Sequence, residues 1–193
     1  MTDEAVLVPV KAFGQAKVRL AGALGTAERA GLARWMAEQV LRAARPLPVA
    51  VACDSPEVAA WAEVAGARVL WTPGLGLNGA VAQGVAALAA TGFSRVIVAH
   101  ADLPFAADLA SLAGRPGVTL VADRRHQGTN VACVPAACGF RFSYGPGSLQ
   151  RHVEAAGRLG LDCEVVRRPD LEWDVDTPAD LAGVPARAAA GPA

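Results

Sequence analysis

The stretch Ala5-Val-Leu-Val-Pro-Val10 decides the fold, and it runs directly into Lys11-Ala-Phe-Gly-Gln-Ala-Lys17-Val-Arg19-Leu20. An apolar run without alternation is typical of a strand buried on both faces of a sheet. The cations Lys11, Lys17 and Arg19 then follow where the strand ends. Because ligands of open α/β sheets lie outside the carboxyl ends of the strands, these cations are placed to bind an anion, with a polyphosphate as the first candidate. A solvated basic loop is the alternative.

The remainder of the chain alternates between strands and helices. Apolar spacing and turn residues predict strands at 49–53, 68–71, 95–99, 118–122 and 131–134, and helices that begin near Thr26, Pro56, Asn78, Phe105, Ser148 and Thr177. This alternation predicts a single-domain α/β fold with a doubly wound, mostly parallel sheet. We assign the domain to residues 1–184 and expect the Ala-, Gly- and Pro-rich residues 185–193 to be disordered.

The composition argues against two classes of partner. The 18 basic residues balance the 18 acidic ones, so no global field favours nucleic acid or a membrane surface. The N-terminus lacks a signal-peptide pattern and no apolar run is long enough to span a membrane, so we expect a cytoplasmic protein.

The cysteines lack C-x-x-C spacing and are expected to be buried free thiols in a reducing compartment: Cys53, Cys133, Cys138 and Cys163.

Three aspartates are candidates for a metal site. Asp102 directly follows the fourth strand, and Asp174 and Asp176 point to the same side if their segment is extended. Carboxylates gathered at one sheet edge repel one another unless a cation neutralises them. Mg²⁺, which is bound by one or two carboxylates plus substrate phosphate oxygens, fits this set. In the alternative interpretation, Asp102 only ends a strand and Asp176 caps the last helix.

The segment Tyr144-Gly-Pro-Gly-Ser148 predicts a second anion site. Ser148 is a suitable N-cap, yet the cations Arg151 and His152 follow where a capping box would carry Glu. Cations beside the positive end of a helix are unfavourable unless an anion binds the free N–H groups there. Two anion sites with acids between them are typical of an enzyme that transfers a group from one phosphate to another.

The sequence Gly74-Leu-Gly76-Leu-Asn-Gly79 matches the G-x-G-x-x-G pattern of dinucleotide-binding folds, and Asp102 follows it at a suitable distance. However, the motif comes after the third strand rather than the first, and Pro73 interrupts its turn. We therefore expect these glycines to let a loop pass close to the base or ribose of a nucleotide. An NAD-dependent oxidoreductase is the alternative.

Together these segments resemble a family of nucleotidyltransferase-like α/β enzymes, the 2-phospho-L-lactate or phosphoenolpyruvate guanylyltransferases of coenzyme F-420 biosynthesis. The resemblance implies a nucleotide-diphospho-sugar transferase fold of the GT-A-like, Rossmann-related type. It runs from Val6 to Leu181, and it is carried by Val8-Pro9-Val10-Lys11, Ala16-Lys17-x-Arg19-Leu20, Gly76-Leu77-Asn78, Ala101-Asp102-Leu103-Pro104, Asp123 with Gly128-Thr129-Asn130, Phe142-x-Tyr144-Gly145-Pro146-Gly147-Ser148 with His152, and Asp174-Val175-Asp176-Thr177-Pro178-x-Asp180-Leu181.

The resemblance implies Mg²⁺-dependent attack of an acceptor phosphate on the α-phosphorus of GTP, with release of pyrophosphate. The acceptor would be a small phosphorylated carboxylate. The implied roles are as follows: Lys17, Arg19 and Asp102 are catalytic; Lys11, Lys17, Arg19, Gly76 and Asn78 bind the nucleotide; Asp102, Asp174 and Asp176 bind Mg²⁺; Thr129, Gly145 and Ser148 bind the acceptor.

Two departures from the family pattern leave the base and the acceptor open. Gly79 stands where alanine is expected, and Arg124-Arg125-His126-Gln127 is more basic than expected. Phosphoenolpyruvate, 2-phospho-L-lactate and 3-phosphoglycerate are all candidate acceptors. The other functional hypotheses are a molybdenum-cofactor nucleotidyltransferase, the oxidoreductase above, and a catalytically inactive nucleotide-binding subunit, which the presence of all three cations and all three aspartates disfavours.

Overall fold

The computed structural model describes residues 3–185, which form one seven-stranded sheet in the order β3-β2-β1-β4-β6-β5-β7. Only β6 among these strands is antiparallel to its neighbours. The strands are β1 (Glu4–Pro9), β2 (Val49–Cys53), β3 (Arg68–Trp71), β4 (Arg95–Ala99), β5 (Val118–Ala122), β6 (Thr129–Pro135) and β7 (Cys163–Val166). The predicted α/β class and the mostly parallel sheet are confirmed.

Helices cover both faces of this sheet. They are α1 (Thr26–Ala43), α2 (Pro56–Val64), α3 (Gly76–Ala90), α4 (Ser148–Arg158) and the single-turn α5 (Pro169–Glu172), with short 3-10 helices at Phe13–Gln15, Val18–Leu20, Ala110–Leu112 and Pro178–Gly183. Along β1, Val6 and Val8 pack into the core that includes α1 and α2, whereas Ala5 and Leu7 pack into the core that includes α3 and α4. Because both faces of β1 are buried, its apolar run does not alternate.

The strand order places a ligand crevice beside β1. From β1 the chain proceeds to β2 and β3 on one side, and β4 then joins β1 on the other side. The carboxyl ends of β1 and β4 therefore form the switch point at which open α/β sheets bind ligands. Since β6 is antiparallel, its first residues, rather than its last, reach this edge, and the backbone N–H of His100 donates to the carbonyl of Asn130 there (3.0 Å).

Several predicted boundaries differ from the structure. The first helix begins at Thr26 as predicted, with Gly25 as its N-cap, but α3 begins at Gly76 instead of near Asn78, and the segments near Phe105 and Thr177 contain only 3-10 turns. The prediction missed β7, because this short edge strand exposes Glu164 and Val165 and lacks a continuous apolar run. It also missed α5. Apart from Pro185, the predicted tail lies outside the described residues.

All four cysteines are free, but only Cys53 and Cys133 are buried, and Cys138 and Cys163 are partly exposed. Among residues 3–185, no helix combines the length and the apolar character needed to cross a bilayer.

Candidate active site

An ion-pair cluster lies at the crevice between β1 and β4. The Lys17 ammonium donates to Asp102 Oδ2 (2.6 Å) and to Asp176 Oδ1 (3.2 Å), which joins residues that are 85 and 159 positions apart in sequence. Lys17 follows β1 and caps the second 3-10 helix with a left-handed backbone (φ 56°). A lysine in this conformation is strained, and its surroundings hold it there. The structure thus brings together three of the predicted site residues.

The charges of this cluster stabilise one another. Burial lowers the pKa of Lys17, but the carboxylates of Asp102 and Asp176 more than compensate, so its pKa lies above the ordinary value. Burial likewise raises the pKa of Asp102, but the charges of Lys17 and His100 and the Lys17 hydrogen bond bring it below the ordinary value. Both groups are therefore charged at neutral pH. Arg19 lies farther out, largely exposed, with Nη1 3.6 Å from Asp176 Oδ2.

Asp174 adds a third acidic group, and residues 3–185 provide no ion-pair partner for it. Its pKa is raised, first by burial and then by the charges of Asp102 and Asp176. In addition, Asp102 Oδ1 is buried and has no hydrogen-bond partner within the described part of the chain; His100 Nδ1 lies 4.0 Å from it. The site therefore carries more negative charge than Lys17 neutralises.

These residues fit a magnesium ion of the kind predicted. The described residues contain no group of three His, Cys, Asp or Glu side chains close enough to form a metal site by themselves. Mg²⁺ typically requires only one or two protein carboxylates, because substrate phosphates and water supply the other oxygens. The unpaired Asp102 Oδ1 and the destabilised carboxylate of Asp174 provide ligands of this kind. Binding of Mg²⁺ by Asp102, Asp174 and Asp176 stays a prediction.

Asp180 holds the loop that carries Asp176. Its Oδ2 accepts hydrogen bonds from the backbone N–H groups of Asp176 (2.9 Å) and Thr177 (2.7 Å) and from the Thr177 hydroxyl (2.9 Å). Its Oδ1 forms an ion pair with Arg124, whose guanidinium stacks over the ring of Trp173, 4.0 Å from its centroid. The unexpectedly basic segment after Asp123 therefore contributes a structural ion pair, which connects this segment to the loop that carries Asp176.

Two cavities flank the ion-pair cluster. A cavity of about 310 Å³ is lined by Lys11, Lys17, His100 and Asp102, among others. A second cavity of about 410 Å³ lies over the ends of β1, β2 and β3 and the start of α3. Pro9, Val10, Lys11 and Leu77 line both cavities, so the two spaces adjoin. Lys11 therefore lies where an extended anionic ligand would pass from one cavity to the other. A larger cavity of about 440 Å³ lies around Arg42, Arg45 and Trp61, away from all of the predicted site residues.

The predicted nucleotide-binding residues Gly76 and Asn78 lie at the start of α3. Gly76 adopts a positive φ of 61° and lines the second cavity, which agrees with a backbone loop that passes close to a ligand. The side-chain carbonyl of Asn78 accepts a hydrogen bond from the backbone N–H of Tyr144 (2.7 Å). Asn78 therefore joins α3 to the Tyr144–Ser148 segment.

The predicted acceptor residues Thr129 and Ser148 form a buried cluster with His152. The backbone N–H of Thr129 donates to Ser148 Oγ (3.0 Å), and Thr129 Oγ1 lies 3.0 Å from His152 Nδ1. The backbone N–H of Ser143 donates to His152 Nε2 (2.9 Å), so Nδ1 carries the ring hydrogen and donates to Thr129. Gly145 reaches this cluster through its carbonyl, which accepts from the backbone N–H of Ser148 (3.0 Å).

Three expectations for this segment are wrong. Gly147 (φ 73°), rather than Ser148, is the N-cap of α4, because the Ser148 hydroxyl faces Thr129 instead of its own helix. Arg151 donates to the backbone carbonyls of Ser143, Gly145 and Pro146, so it closes the loop instead of offering a free cation. His152 is fully buried, and burial followed by the charges of Arg151 and His100 lowers its pKa to about 4, so it is neutral at pH 7 and offers no charge to an anion.

The sequence is similar to known proteins along nearly its whole length. Residues 4–186 match the family described as guanylyl transferase CofC like. The chain is 37% identical to the phosphoenolpyruvate guanylyltransferase of Rubrobacter xylanophilus over 185 residues, which cover 91% of this chain and 90% of the relative. It is 38% identical to the enzyme of the same name from Conexibacter woesei over 187 residues, which cover 91% of this chain and 84% of the relative.

The fold has solved counterparts as well. The crystal structure of a candidate nucleotide-diphospho-sugar transferase from Desulfovibrio desulfuricans G20 superposes with a TM-score of 0.76 at 20% sequence identity, covering 94% of this chain and 85% of the other. This likeness confirms the predicted fold type. The family match supports nucleotidyl transfer and lends no support to the oxidoreductase or molybdenum-cofactor hypotheses. The chain belongs to the CofC-like family of guanylyl transferases.

Proposed function

We propose that this protein transfers the guanylyl group of GTP to phosphoenolpyruvate and releases pyrophosphate. The observation that carries the proposal is the cluster of Lys17, Asp102 and Asp176, which lies at the switch point of the sheet between β1 and β4. Membership of the guanylyl transferase family supports the donor. The relatives named phosphoenolpyruvate guanylyltransferase support the acceptor.

In the proposed reaction, a phosphate oxygen of the acceptor attacks the α-phosphorus of GTP. The bond between that phosphorus and the oxygen leading to the β-phosphate breaks, and pyrophosphate leaves. The acceptor phosphate is already ionised at neutral pH, so no general base is required. Catalysis then depends on aligning two anions and neutralising the charge that develops between them.

The residues of the cluster supply both effects. Lys11 and Lys17 would contact the triphosphate from the two adjoining cavities, and Arg19 would reach it from the exposed rim. The carboxylates of Asp102, Asp174 and Asp176 would hold Mg²⁺. When bound, the ion would neutralise negative charge on the phosphates. A nucleotide phosphate would compete with these carboxylates for the Lys17 ammonium, which lies within hydrogen-bond distance of Asp102 and Asp176.

The acceptor would lie toward the start of β6 and α4. Thr129, Gly145 and Ser148 form one hydrogen-bonded unit there, and Asn78 joins it to the nucleotide side through Tyr144. We propose phosphoenolpyruvate ahead of 2-phospho-L-lactate or 3-phosphoglycerate, because the relatives above carry that name. The product would be an intermediate of coenzyme F-420 biosynthesis, as the resemblance of the sequence implies.

The proposal is tested by measuring pyrophosphate release from GTP with each of the three acceptors in the presence of Mg²⁺. We expect the highest kcat/KM with phosphoenolpyruvate, loss of activity when EDTA is added, and recovery when Mg²⁺ is restored. Mass spectrometry of the product identifies the guanylylated acceptor. Pyrophosphate release with none of these acceptors would overturn the proposal, and turnover confined to 2-phospho-L-lactate would correct its acceptor.

A further inference from the structure

The cavity over the ends of β1, β2 and β3 has a lining that suits one particular nucleobase. We infer that Asp54 is the residue that selects guanine, its carboxylate accepting hydrogen bonds from the ring N1–H and the 2-amino group. The inference rests on the proposed function, since it assigns the base end of the same nucleotide site. Asp54 directly follows Cys53, the last residue of β2, and it lines this cavity of about 410 Å³.

The position of Asp54 suits the base end of a nucleotide whose phosphates lie at Lys17. β1 lies between β2 and β4, so the ends of β2 and β4 are two strand spacings apart, about 10 Å. A nucleotide with its phosphates near Lys17 and Asp102 would cross the end of β1 beside Lys11, which lines both cavities. Its base would then reach the cavity that contains Asp54.

The remainder of this lining is largely apolar. Pro9, Ala52, Ala80 and Leu77 contribute surface suited to the faces of a purine. Leu77 is 42% exposed although it borders both cavities, and a stacked base would cover it. An exposed leucine in such a place is typical of a ligand-binding surface.

The side chains of the lining include one carboxylate that could accept hydrogen bonds from a base. The Thr72 hydroxyl is buried and donates to the carbonyl of Cys53 (3.3 Å), so its hydrogen is already used. The Lys11 ammonium can only donate. Of the described residues that line this cavity, Asp54 alone carries a carboxylate.

A carboxylate is selective for guanine because it only accepts hydrogen bonds. Guanine offers two adjacent donors, N1–H and the 2-amino group, which match the two carboxylate oxygens in a bidentate, charge-assisted pair. Adenine places the acceptor N1 at the same position, so its lone pair would face a negative charge. Asp54 would therefore favour the correct base and disfavour the wrong one.

The test exchanges the recognition pattern instead of only removing it. In Asp54→Asn the amide can still accept from N1–H, but it donates toward position 2, where xanthine carries a carbonyl oxygen. We expect kcat/KM for GTP to fall about 10–100-fold and kcat/KM for xanthosine triphosphate to rise. Asp54→Ala loses GTP activity without this gain. Glu63→Gln, an exposed charge change on α2, serves as the matched control and leaves all values unchanged.

The outcomes separate the inference from the proposed function. If wild-type protein releases pyrophosphate from GTP but Asp54→Asn keeps the wild-type ratio of GTP to xanthosine triphosphate activity, the inference is overturned and the proposed function stands. If kcat/KM falls equally for GTP and for xanthosine triphosphate, the inference is overturned too, because such a result would place Asp54 at the ribose instead of the base. If wild-type protein does not use GTP at all, the proposed function fails first. Melting temperatures of the variants, and titration of GTP binding without acceptor, show whether a loss reflects misfolding.

Discussion

The polar cluster around Lys17 and the polar cluster around His152 lie at the same edge of the sheet, but they differ in what they leave unpaired. Around Lys17 the groups are charged, Asp102 Oδ1 lacks a hydrogen-bond partner among the described residues, and the pKa of Asp174 is raised by burial and by neighbouring carboxylates. Around His152 the groups are neutral and buried, and Thr129 is hydrogen-bonded to both Ser148 and His152.

This difference indicates how the two clusters would contribute to a nucleotidyltransferase. Unpaired negative charge next to a partly exposed crevice costs stability until a cation binds, so the Lys17 cluster is prepared for a ligand. The neutral groups around His152 present no charge for a cation to neutralise, and their hydrogen bonds hold the backbone of the loops that line the site. Substitutions in the two clusters are therefore expected to affect different quantities.

The largest expected effect is on turnover, in Asp102→Asn. The change keeps the shape of the side chain but removes the charge that pairs with Lys17 and the oxygen predicted to bind Mg²⁺. We expect kcat to fall about 100–1,000-fold, as when a single charge-stabilising group is removed from an active site. Steady-state pyrophosphate release measures it. Asp170→Asn is the control, because it removes a carboxylate of α5 that pairs with Arg168. A near-normal kcat in Asp102→Asn would show that the carboxylate is structural.

The second prediction concerns the dependence of stability on pH. The pKa of His152 is about 4 in the folded protein against an ordinary histidine value of 6.5, so the unfolded chain binds the proton more readily. The stabilisation from neutral His152 is complete above pH 6.5 and is lost as the pH falls toward 4, by up to about 1.4 kcal/mol per pH unit. Urea unfolding across this range measures it. In His152→Phe the slope is expected to be smaller, and an unchanged slope would contradict the assignment.

A smaller loss of stability is expected in Ser148→Ala. The change leaves the buried N–H of Thr129 without its acceptor, which costs about 1–3 kcal/mol in the free energy of unfolding. Ser94→Ala, an exposed position, is the control and is expected to change it by less than about 0.5 kcal/mol. Because Ser148 is also a predicted acceptor-binding residue, we expect KM for phosphoenolpyruvate to rise while KM for GTP stays constant. A change confined to KM for GTP would mean that the two anion sites are exchanged.

The smallest expected effect is an increase in thermal stability, whereas the preceding substitutions reduce activity or stability. In Asp174→Asn a carboxylate with a raised pKa is replaced by a neutral amide, so the ligand-free protein becomes more stable while its activity falls. We expect the melting temperature to rise by at most about 2–4 °C at pH 7. The rise should shrink as the pH is lowered, because protonation removes the same repulsion in the wild type. A lower melting temperature at pH 7 would show that Asp174 makes favourable contacts.

The sequence predicted the parts of the molecule that depend on local pattern and on the geometry of parallel sheets. The apolar run of β1 and the Asp102 that follows β4 were sufficient to predict that Lys17 and Asp102 meet at one edge. Partners that depend on tertiary packing were not predictable in this way. Ser148 resembles an N-cap in its own segment, but its hydroxyl accepts a hydrogen bond from Thr129, which lies 19 residues away at the start of β6.

The same limit explains why the role of the basic loop was missed. Arg124 follows a strand end, as a ligand-binding cation would, and nothing near it in sequence indicates the buried carboxylate of Asp180. The left-handed backbone of Lys17 was also unpredictable, because this conformation is favoured by glycine and disfavoured by the Cβ atom of other residues. In the folded site, Lys17 adopts this conformation while its ammonium pairs with Asp102 and Asp176.

The single antiparallel strand β6 also bears on how a chain of this kind can change over evolutionary time. Its direction lets the β5–β6 hairpin present Thr129 beside the end of β4, although the cations that precede α1 and the aspartate after β4 belong to the parallel half of the sheet. Mutations that reshape this hairpin and the adjoining start of α4 therefore alter one wall of the crevice and leave the strands behind Lys11 and Lys17 unchanged. Such a division would let a lineage adopt a new acceptor by drift in one hairpin, without rebuilding the half of the domain that holds the nucleotide.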